Sequence, residues 1–202
     1  MKFSLRRFSA PLMILVSGVA LSGCLSVKSY VDPALPVVTK TQFSKVAAPK
    51  PVTVLFEFRT KGNTNARATE SQRTRVITAV NDSGLFGSVS QTLGGADSGL
   101  LKISIDNIGD PTGSPVAKGF GTGLTFGLAG SLVTDAYICT ASYSANGQTF
   151  DTTIKHAIYS TIGNHAGPAG LTPMKIGDAA NQAIEQMVLN ALKDLDSKHA
   201  FQ

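Results

Sequence analysis

The sequence predicts an α+β fold, in which two helices pack on one face of a mainly antiparallel sheet within a single domain. Two segments repeat apolar residues at helical spacing, and several others alternate apolar and polar residues as strands do. Their order along the chain is strand, helix, short strand, strand, hairpin and helix. That order suits helices gathered on one side of an antiparallel sheet.

The first strand and first helix are marked by two different periods. The segment 52–58, VTVLFEF, is rich in β-branched and aromatic residues and places alternate side chains on one face: Val52, Val54, Phe56 and Phe58. A helix is predicted over about 66–81, with Gly84 as its stop. Its residues at three-to-four spacing form one stripe: Thr69, Arg73, Val76, Ile77 and Val80.

Strands and a final helix account for the rest of the domain. LFGSVSQ (85–91) predicts a short strand, and GLLKISIDNIG (99–109) a longer one with strict alternation. Asn146-Gly147 joins two further strands in a tight hairpin, because its turn requires positive φ at both residues. A helix over about 176–195 is predicted to bury one apolar stripe: Ile176, Ala180, Ala183, Ile184, Met187, Val188, Ala191, Leu192 and Leu195.

The amino-terminal segment is typical of an export signal. A head containing Lys2, Arg6 and Arg7 precedes the apolar run PLMILVSGVA, which is followed by the small-residue exit LSGC. The apolar run is well short of the roughly 20 residues that span a bilayer. A cleaved signal over residues 1–23 is therefore favoured over a transmembrane anchor.

The tetrapeptide LSGC, Leu21 to Cys24, resembles the lipobox of bacterial lipoproteins. The resemblance implies that the chain is cleaved before Cys24 and that Cys24 becomes lipidated on its sulfur and its new amino group. A multiply acylated cysteine is a stable membrane anchor, whereas a single chain binds reversibly. In the family's sorting pattern, Leu25 after the cysteine implies the periplasmic side of the outer membrane. The alternative is an ordinary secretory signal with Cys24 as a thiol.

The mature chain is predicted to have two parts. Residues 24–51, with four prolines, are expected to form an extended tether, of which PVVTKTQF (36–43) could instead pack on the domain as an edge strand. Residues 52–202 form the globular domain. Removing residues 1–23 takes away three positive charges and leaves 15 Lys plus Arg against 13 Asp plus Glu. This near-balance argues against a nucleic-acid partner.

The glycine-rich stretch GFGTGLTFGLAGSLVTD (119–135) is the least ordinary part of the sequence. Its glycines miss the spacing of a dinucleotide fingerprint, and no Gly-Lys-Ser or Gly-Lys-Thr completes a P-loop. Large residues alternate with small ones, which favours an extended strand with one bulky face. That face either covers the domain's own core or contacts a bilayer or a partner protein. The candidate contact residues are Phe120, Leu124, Phe126, Leu128 and Leu132.

Residues with catalytic or metal-binding potential are few. His156 lies on the inward face of a predicted strand and is expected to be packed, which leaves His165, in a glycine-rich loop, as the candidate site histidine. His199 falls in a polar tail. Cys139 is expected to be a buried strand residue, because after lipidation of Cys24 no second thiol is left for an intramolecular disulfide. With no zinc-ligand spacing and no nucleophile elbow, we expect neither an enzyme nor a cofactor.

The lipobox, the SGLF after the first helix and the terminal amphipathic helix together resemble small bacterial envelope lipoproteins. The layout of residues 52–195 is similar to the amino-terminal domain of the Tol-system translocation protein and to the curli-secretion lipoprotein. The resemblance implies an accessory or assembly role in the envelope, through binding a protein partner or through self-association. The alternative is a module that binds a lipid or another apolar small molecule between sheet and helices.

Overall fold

The computed structural model describes residues 26–95, 97–110, 132–163 and 166–202 as one α+β domain, which confirms the predicted fold class. The strands are β1 (Val27–Val31), β2 (Pro51–Thr60), β3 (Asn63–Thr64), β4 (Ser88–Ser90), β5 (Gly99–Gly109), β6 (Leu132–Ala145) and β7 (Gln148–Ile162). The helices are α1 (Ala66–Asp82) and α2 (Ile176–Ser197), with a 3-10 turn at Lys40–Gln42.

The seven strands of the described ranges form one mixed sheet in the order β1-β7-β6-β5-β2-β3, and β4 pairs with β2 beside β3. All neighbours run antiparallel except β2, which is parallel to both β5 and β4. The parallel pair follows from the connection through α1, because a helix returns the chain to the end of the sheet at which β2 began.

Both helices pack on one face of the sheet, as the sequence predicts. Helix α1 packs on β2, and α2 packs on β7, β1 and β6. Between them the inward residues of β1, β2, β5, β6 and β7 meet the helices in one buried cluster. It includes Val54, Phe56, Leu101, Ile103, Cys139, Ile158, Val76, Val80, Met187 and Leu192. At about 25 cal/mol for each square ångström of apolar surface buried, this layer is the main stabilising element of the fold.

The boundaries of α1 and the β6–β7 hairpin have the predicted local causes. The Asn65 side chain caps α1 by accepting a hydrogen bond from the Ala68 N–H at 3.0 Å. The helix ends just before Gly84, whose φ of +72° is accessible to glycine at little cost. In the hairpin, Asn146 and Gly147 have φ of +52° and +75°, which confirms the primed turn.

The stripe predicted for α2 is wrong at its first residue. Ile176 begins the helix and is exposed, because α2 starts at the outer edge of the sheet, directly after the bridge between Met174 and Ser29 of the edge strand β1. Ala180 is only partly buried against the core, whereas the other seven predicted residues are buried.

The predicted tether is wrong over its described part, residues 26–51. Val27–Val31 pairs antiparallel with Ile158–Ile162 as the edge strand β1, so the folded domain already includes Val27 and does not begin at 52. The predicted edge strand within 36–43 is also absent, since this stretch contains the 3-10 turn at Lys40–Gln42.

Residues 33–46 form a strap across the two helices. Val38 is 8% exposed, and Leu35, Phe43 and Val46 pack against the core. The Pro36 carbonyl accepts a hydrogen bond from Asn190 Nδ2 at 2.9 Å, and the Ser44 N–H donates to Asp196 Oδ2 at 2.9 Å. The prolines prevent regular secondary structure here, but the apolar residues between them still bury their side chains.

Candidate interaction surfaces

Most of the predicted contact residues lie outside the described residues. This holds for Cys24, for Phe120, Leu124, Phe126 and Leu128, and for the candidate site histidine His165. Leu132 is the first residue of β6, where it pairs with Thr161. The predicted strand pattern therefore extends into the described end of the glycine-rich stretch.

The topology places several chain ends at one end of the sheet, which we call the Val27 end. Strand β1 begins there and β7 ends there, because Val27 pairs with Ile162. Strand β6 also begins there with Leu132, and β5 ends there with Gly109. The segment between β5 and β6, which contains the glycine-rich stretch, thus leaves and re-enters the described fold at the Val27 end.

The face of the sheet opposite the helices, which we call the open face, carries a broad groove of about 630 Å³. Cross-strand register aligns Leu55, Lys102, Ser142 and Asp151 in one row across four strands. The groove is lined by outward side chains of β2, β5, β6 and β7: Leu55, Glu57, Arg59, Lys102, Ser104, Thr140, Ser142, Asp151 and Thr153. The two middle strands contribute hydroxyl groups and Lys102 to its centre, whereas Glu57 and Arg59 of β2 and Asp151 of β7 lie at its sides.

Charges at the β2 side of the groove are already paired. Arg59 Nε lies 2.8 Å from Glu57 Oε2, and Thr64 Oγ1 donates a hydrogen bond to Glu57 Oε1. The Thr64 hydrogen bond, with Arg59, lowers the pKa of the Glu57 carboxyl. Among the described residues, those that line this groove carry hydroxyl, charged and apolar side chains. These groups can form hydrogen bonds and ion pairs with a bound partner.

His156 is a core residue, as the sequence predicts. It is 3% exposed, and its Nε2 lies 2.7 Å from Gln186 Oε1, so Nε2 donates and Nδ1 is the unprotonated nitrogen. Burial lowers the pKa of the ring, and Nδ1 has no hydrogen-bond partner among the described residues. Within the described ranges, no group of three or more His, Cys, Asp or Glu residues could hold a metal ion.

Cys139 is buried on the inward face of β6, which confirms the prediction of a buried strand residue. Burial raises the pKa of its thiol to about 12. A thiol with that pKa carries almost no thiolate at neutral pH, and the thiolate is the reactive form.

A buried polar contact missed from the sequence fixes β1 to the sheet. Tyr159 Oη donates to Asp32 Oδ2 at 3.0 Å, and the Ala34 N–H donates to Asp32 Oδ1 at 2.9 Å. Burial and the neighbouring carboxylate raise the pKa of Tyr159. The only local signal was Asp32-Pro33, a common turn start, directly after VKSYV.

A loop covers Tyr30 beside this contact. A Cβ added at Gly167 would overlap the Tyr30 ring, so only glycine allows the loop backbone to approach this closely. Tyr30, Ala157 and Tyr159 form a small buried cluster on the side of the sheet opposite the helices, with Leu171 packed on it. The amino-terminal strand is thus held from both sides.

The described part of the chain contains no helix long and apolar enough to cross a membrane. No protein-family model matches the sequence, and no curated protein matches it. A solved structure titled "Crystal structure of uncharacterized protein" is similar at 11% sequence identity and a TM-score of 0.34, covering 74% of this chain and 88% of that chain. At that TM-score the similarity supports no argument about function.

Proposed function

We propose that this protein is a lipid-anchored envelope lipoprotein on the periplasmic side of the outer membrane. In this proposal it acts without catalysis, as an accessory or assembly protein that binds another envelope component. The lipobox at Cys24 is the sequence basis for the anchor. The structural observation that supports the proposal is the start of β1 at Val27, three residues after Cys24.

This spacing limits how far the domain can stand from the membrane. Consecutive Cα atoms are 3.8 Å apart, so three steps span at most about 11 Å. A tether of the predicted length would have allowed several times that distance. Because β1 is an integral strand of the sheet, the anchor at Cys24 would hold the whole domain against the bilayer surface.

The open face is the partner-binding surface that we propose. It is concave, is not covered by the helices, and offers hydroxyl groups at its centre with Leu55 and Lys102 on one row. Such a surface can form hydrogen bonds and ion pairs with the polar and charged groups of a protein partner. The strip of Phe120, Leu124, Phe126, Leu128 and Leu132 is proposed as a second contact, with membrane or partner. The described residues on either side of the segment, Gly109 and Leu132, both lie at the Val27 end, and this position supports the assignment.

The alternative, a binder of lipid or another apolar small molecule, has weaker support from the packing. The layer between sheet and helices is filled by buried side chains, among them Ile103, Met187 and Leu192. A groove of about 520 Å³ between the strap and the helices has apolar residues Val38, Phe43 and Leu189, but charged residues share its lining. Native mass spectrometry of the purified chain tests this option directly, through the presence or absence of a co-purified lipid.

Metabolic labelling with a palmitate analogue tests the anchor. We expect label on the wild-type protein and none on Cys24→Ala. An unlabelled wild-type protein that is still exported would contradict the anchor.

Photocrosslinking in intact cells tests the partner surface. A photoreactive residue at Thr153, on the open face, should give a discrete adduct that Lys102→Glu weakens, because Lys102 lies in the same groove. The matched control is the same residue at the exposed Glu70 on α1, which should give no such adduct. Palmitate labelling without any Thr153 adduct would leave the anchor standing and refute the partner role.

A further inference from the structure

Four exposed residues cluster at the Val27 end, close to the start of the described chain. The backbones of Ser29 and Met174 exchange two hydrogen bonds of 2.9 Å, and this bridge joins β1 to the residues that precede α2. Val27 and Lys28 directly precede Ser29, and Lys175 and Ile176 directly follow Met174. The bridge therefore brings these four residues to the same end of the sheet, with Val27 on the helix side of β1 and Lys28 on the opposite side, because successive strand side chains alternate between faces. We call this end surface the Val27 patch.

The Val27 patch combines exposed apolar side chains with positive charge. Val27 is 48% exposed and Ile176 is 47% exposed, two of the five large hydrophobic residues exposed in the described part of the chain. Lys28 and Lys175 are exposed beside them. One acidic residue, Asp178, lies in the first turn of α2, so the positive charges outnumber it. Apolar side chains flanked by lysines suit the boundary between headgroups and acyl chains of an anionic bilayer.

We propose that the domain stands end-on at the membrane, with the Val27 patch in contact with the headgroups of an anionic lipid bilayer. This inference rests on the lipid anchor of the proposed function. Val27 lies at most about 11 Å along the chain from Cys24, a distance comparable with the headgroup layer. The bridge at Ser29 carries Lys175 and Ile176 to the same depth, although they are some 150 residues from the anchor.

The end-on orientation predicts a gradient of distance along the sheet. Strand β7 has 15 residues, and a strand rises about 3.3 Å per residue, so its hairpin end lies about 45 to 50 Å from the membrane. The open face is then perpendicular to the membrane plane and is exposed to the periplasm. This orientation leaves its groove accessible to a protein partner.

Lipid quenching of a fluorescent reporter tests the orientation in the full, lipidated chain. Single cysteines replace Lys175, Thr153 or Gln148, and each carries a bimane reporter. Cys24 is lipidated and Cys139 is buried, so the introduced thiol is the one that reacts. The chains are reconstituted in vesicles of phosphatidylethanolamine and phosphatidylglycerol that contain a headgroup-level nitroxide lipid.

We expect quenching at position 175 to be at least threefold stronger than at 153, with none at 148. The double variant Val27→Asp/Lys28→Glu should reduce the quenching at 175 at least twofold, since each lysine near an anionic surface raises association about fivefold. The matched control is Leu93→Asp/Lys50→Glu, which changes an exposed apolar residue and a lysine away from the patch. Thermal unfolding confirms that each variant is folded.

Equal quenching at 153 and 175 would show a domain lying on its open face, and no quenching at 175 would show a domain held off the bilayer. Either result, with palmitate incorporation and vesicle flotation intact, overturns the end-on orientation and leaves the anchor standing. Loss of palmitate incorporation itself overturns the proposed anchor and this orientation with it.

Discussion

The hydrogen bond between Tyr159 and Asp32 is expected to contribute measurably to stability, because it joins β1 to the rest of the sheet. The substitution Tyr159→Phe removes the phenolic hydroxyl and leaves the ring in place. Asp32 Oδ2 then loses its donor at 3.0 Å, while Oδ1 keeps the Ala34 N–H. A buried hydrogen bond to a charged group contributes roughly 1.5 to 3 kcal/mol. We therefore expect a loss of about 2 kcal/mol in the free energy of unfolding.

Urea unfolding of a double-mutant cycle measures this contribution. The cycle contains Tyr159→Phe, Asp32→Ala and both changes together, and it isolates the pairwise interaction from the loss of the Ala34 contact. We expect a coupling energy of about 1 to 2 kcal/mol, and a shift of about 4 to 8 °C in the melting temperature of Tyr159→Phe. Hydrogen exchange at the β1 amides should accelerate in the same variant. A coupling below about 0.3 kcal/mol would refute the reasoning, because additive changes mean that the two groups do not interact.

Three further predictions concern buried or strained residues. Gly147→Ala should lower the free energy of unfolding by about 1 kcal/mol in a urea titration, since φ is +75° there and alanine disfavours positive φ; an unchanged midpoint would contradict the strained turn. Cys139 should resist a thiol reagent at pH 8 until urea unfolds the chain, because it is buried and its pKa is about 12; fast modification of the folded protein would contradict this. Burial lowers the pKa of His156 from 6.5, so the unfolded chain binds a proton at higher pH than the folded one, and the free energy of unfolding should fall as the pH drops below about 6.5. Replacing His156 by Gln should reduce that pH dependence, and an unaltered slope would count against it.

Local patterns predicted the central part of the fold well. Alternation in β2 and β5, the three-to-four stripe of α1 and the Asn146-Gly147 turn are each set by neighbours within a few residues. These signals are read from short windows of sequence, so their positions agree with the structure closely. The parallel pairing of β2 with β5 was not predicted, because it depends on how α1 returns the chain across the sheet.

The contacts that sequence reasoning missed join residues far apart in the chain. Strand β1 has five residues and its partner β7 lies about 130 residues later, so the turn signal Asp32-Pro33 was the one local mark of its end. The prolines that follow it suggested a free tether, yet Val38 and Phe43 lie against the helices. Ile176 was assigned to the buried stripe because its spacing fits, but helical period alone does not say where the sheet ends. The candidate groove on the open face likewise depends on cross-strand register, which no local period defines.

The pairing of β1 with β7 also determines how the domain bears mechanical load. A pull on the chain at Ser26, directed away along β1, acts perpendicular to the hydrogen bonds between the two strands. Those bonds would be strained together in shear, and could not open one after another as in a peeled hairpin. The contacts of the strap with α1 and α2 would also have to break before force reaches the core. A domain attached through β1 in this way would resist unfolding when the chain is pulled at Ser26.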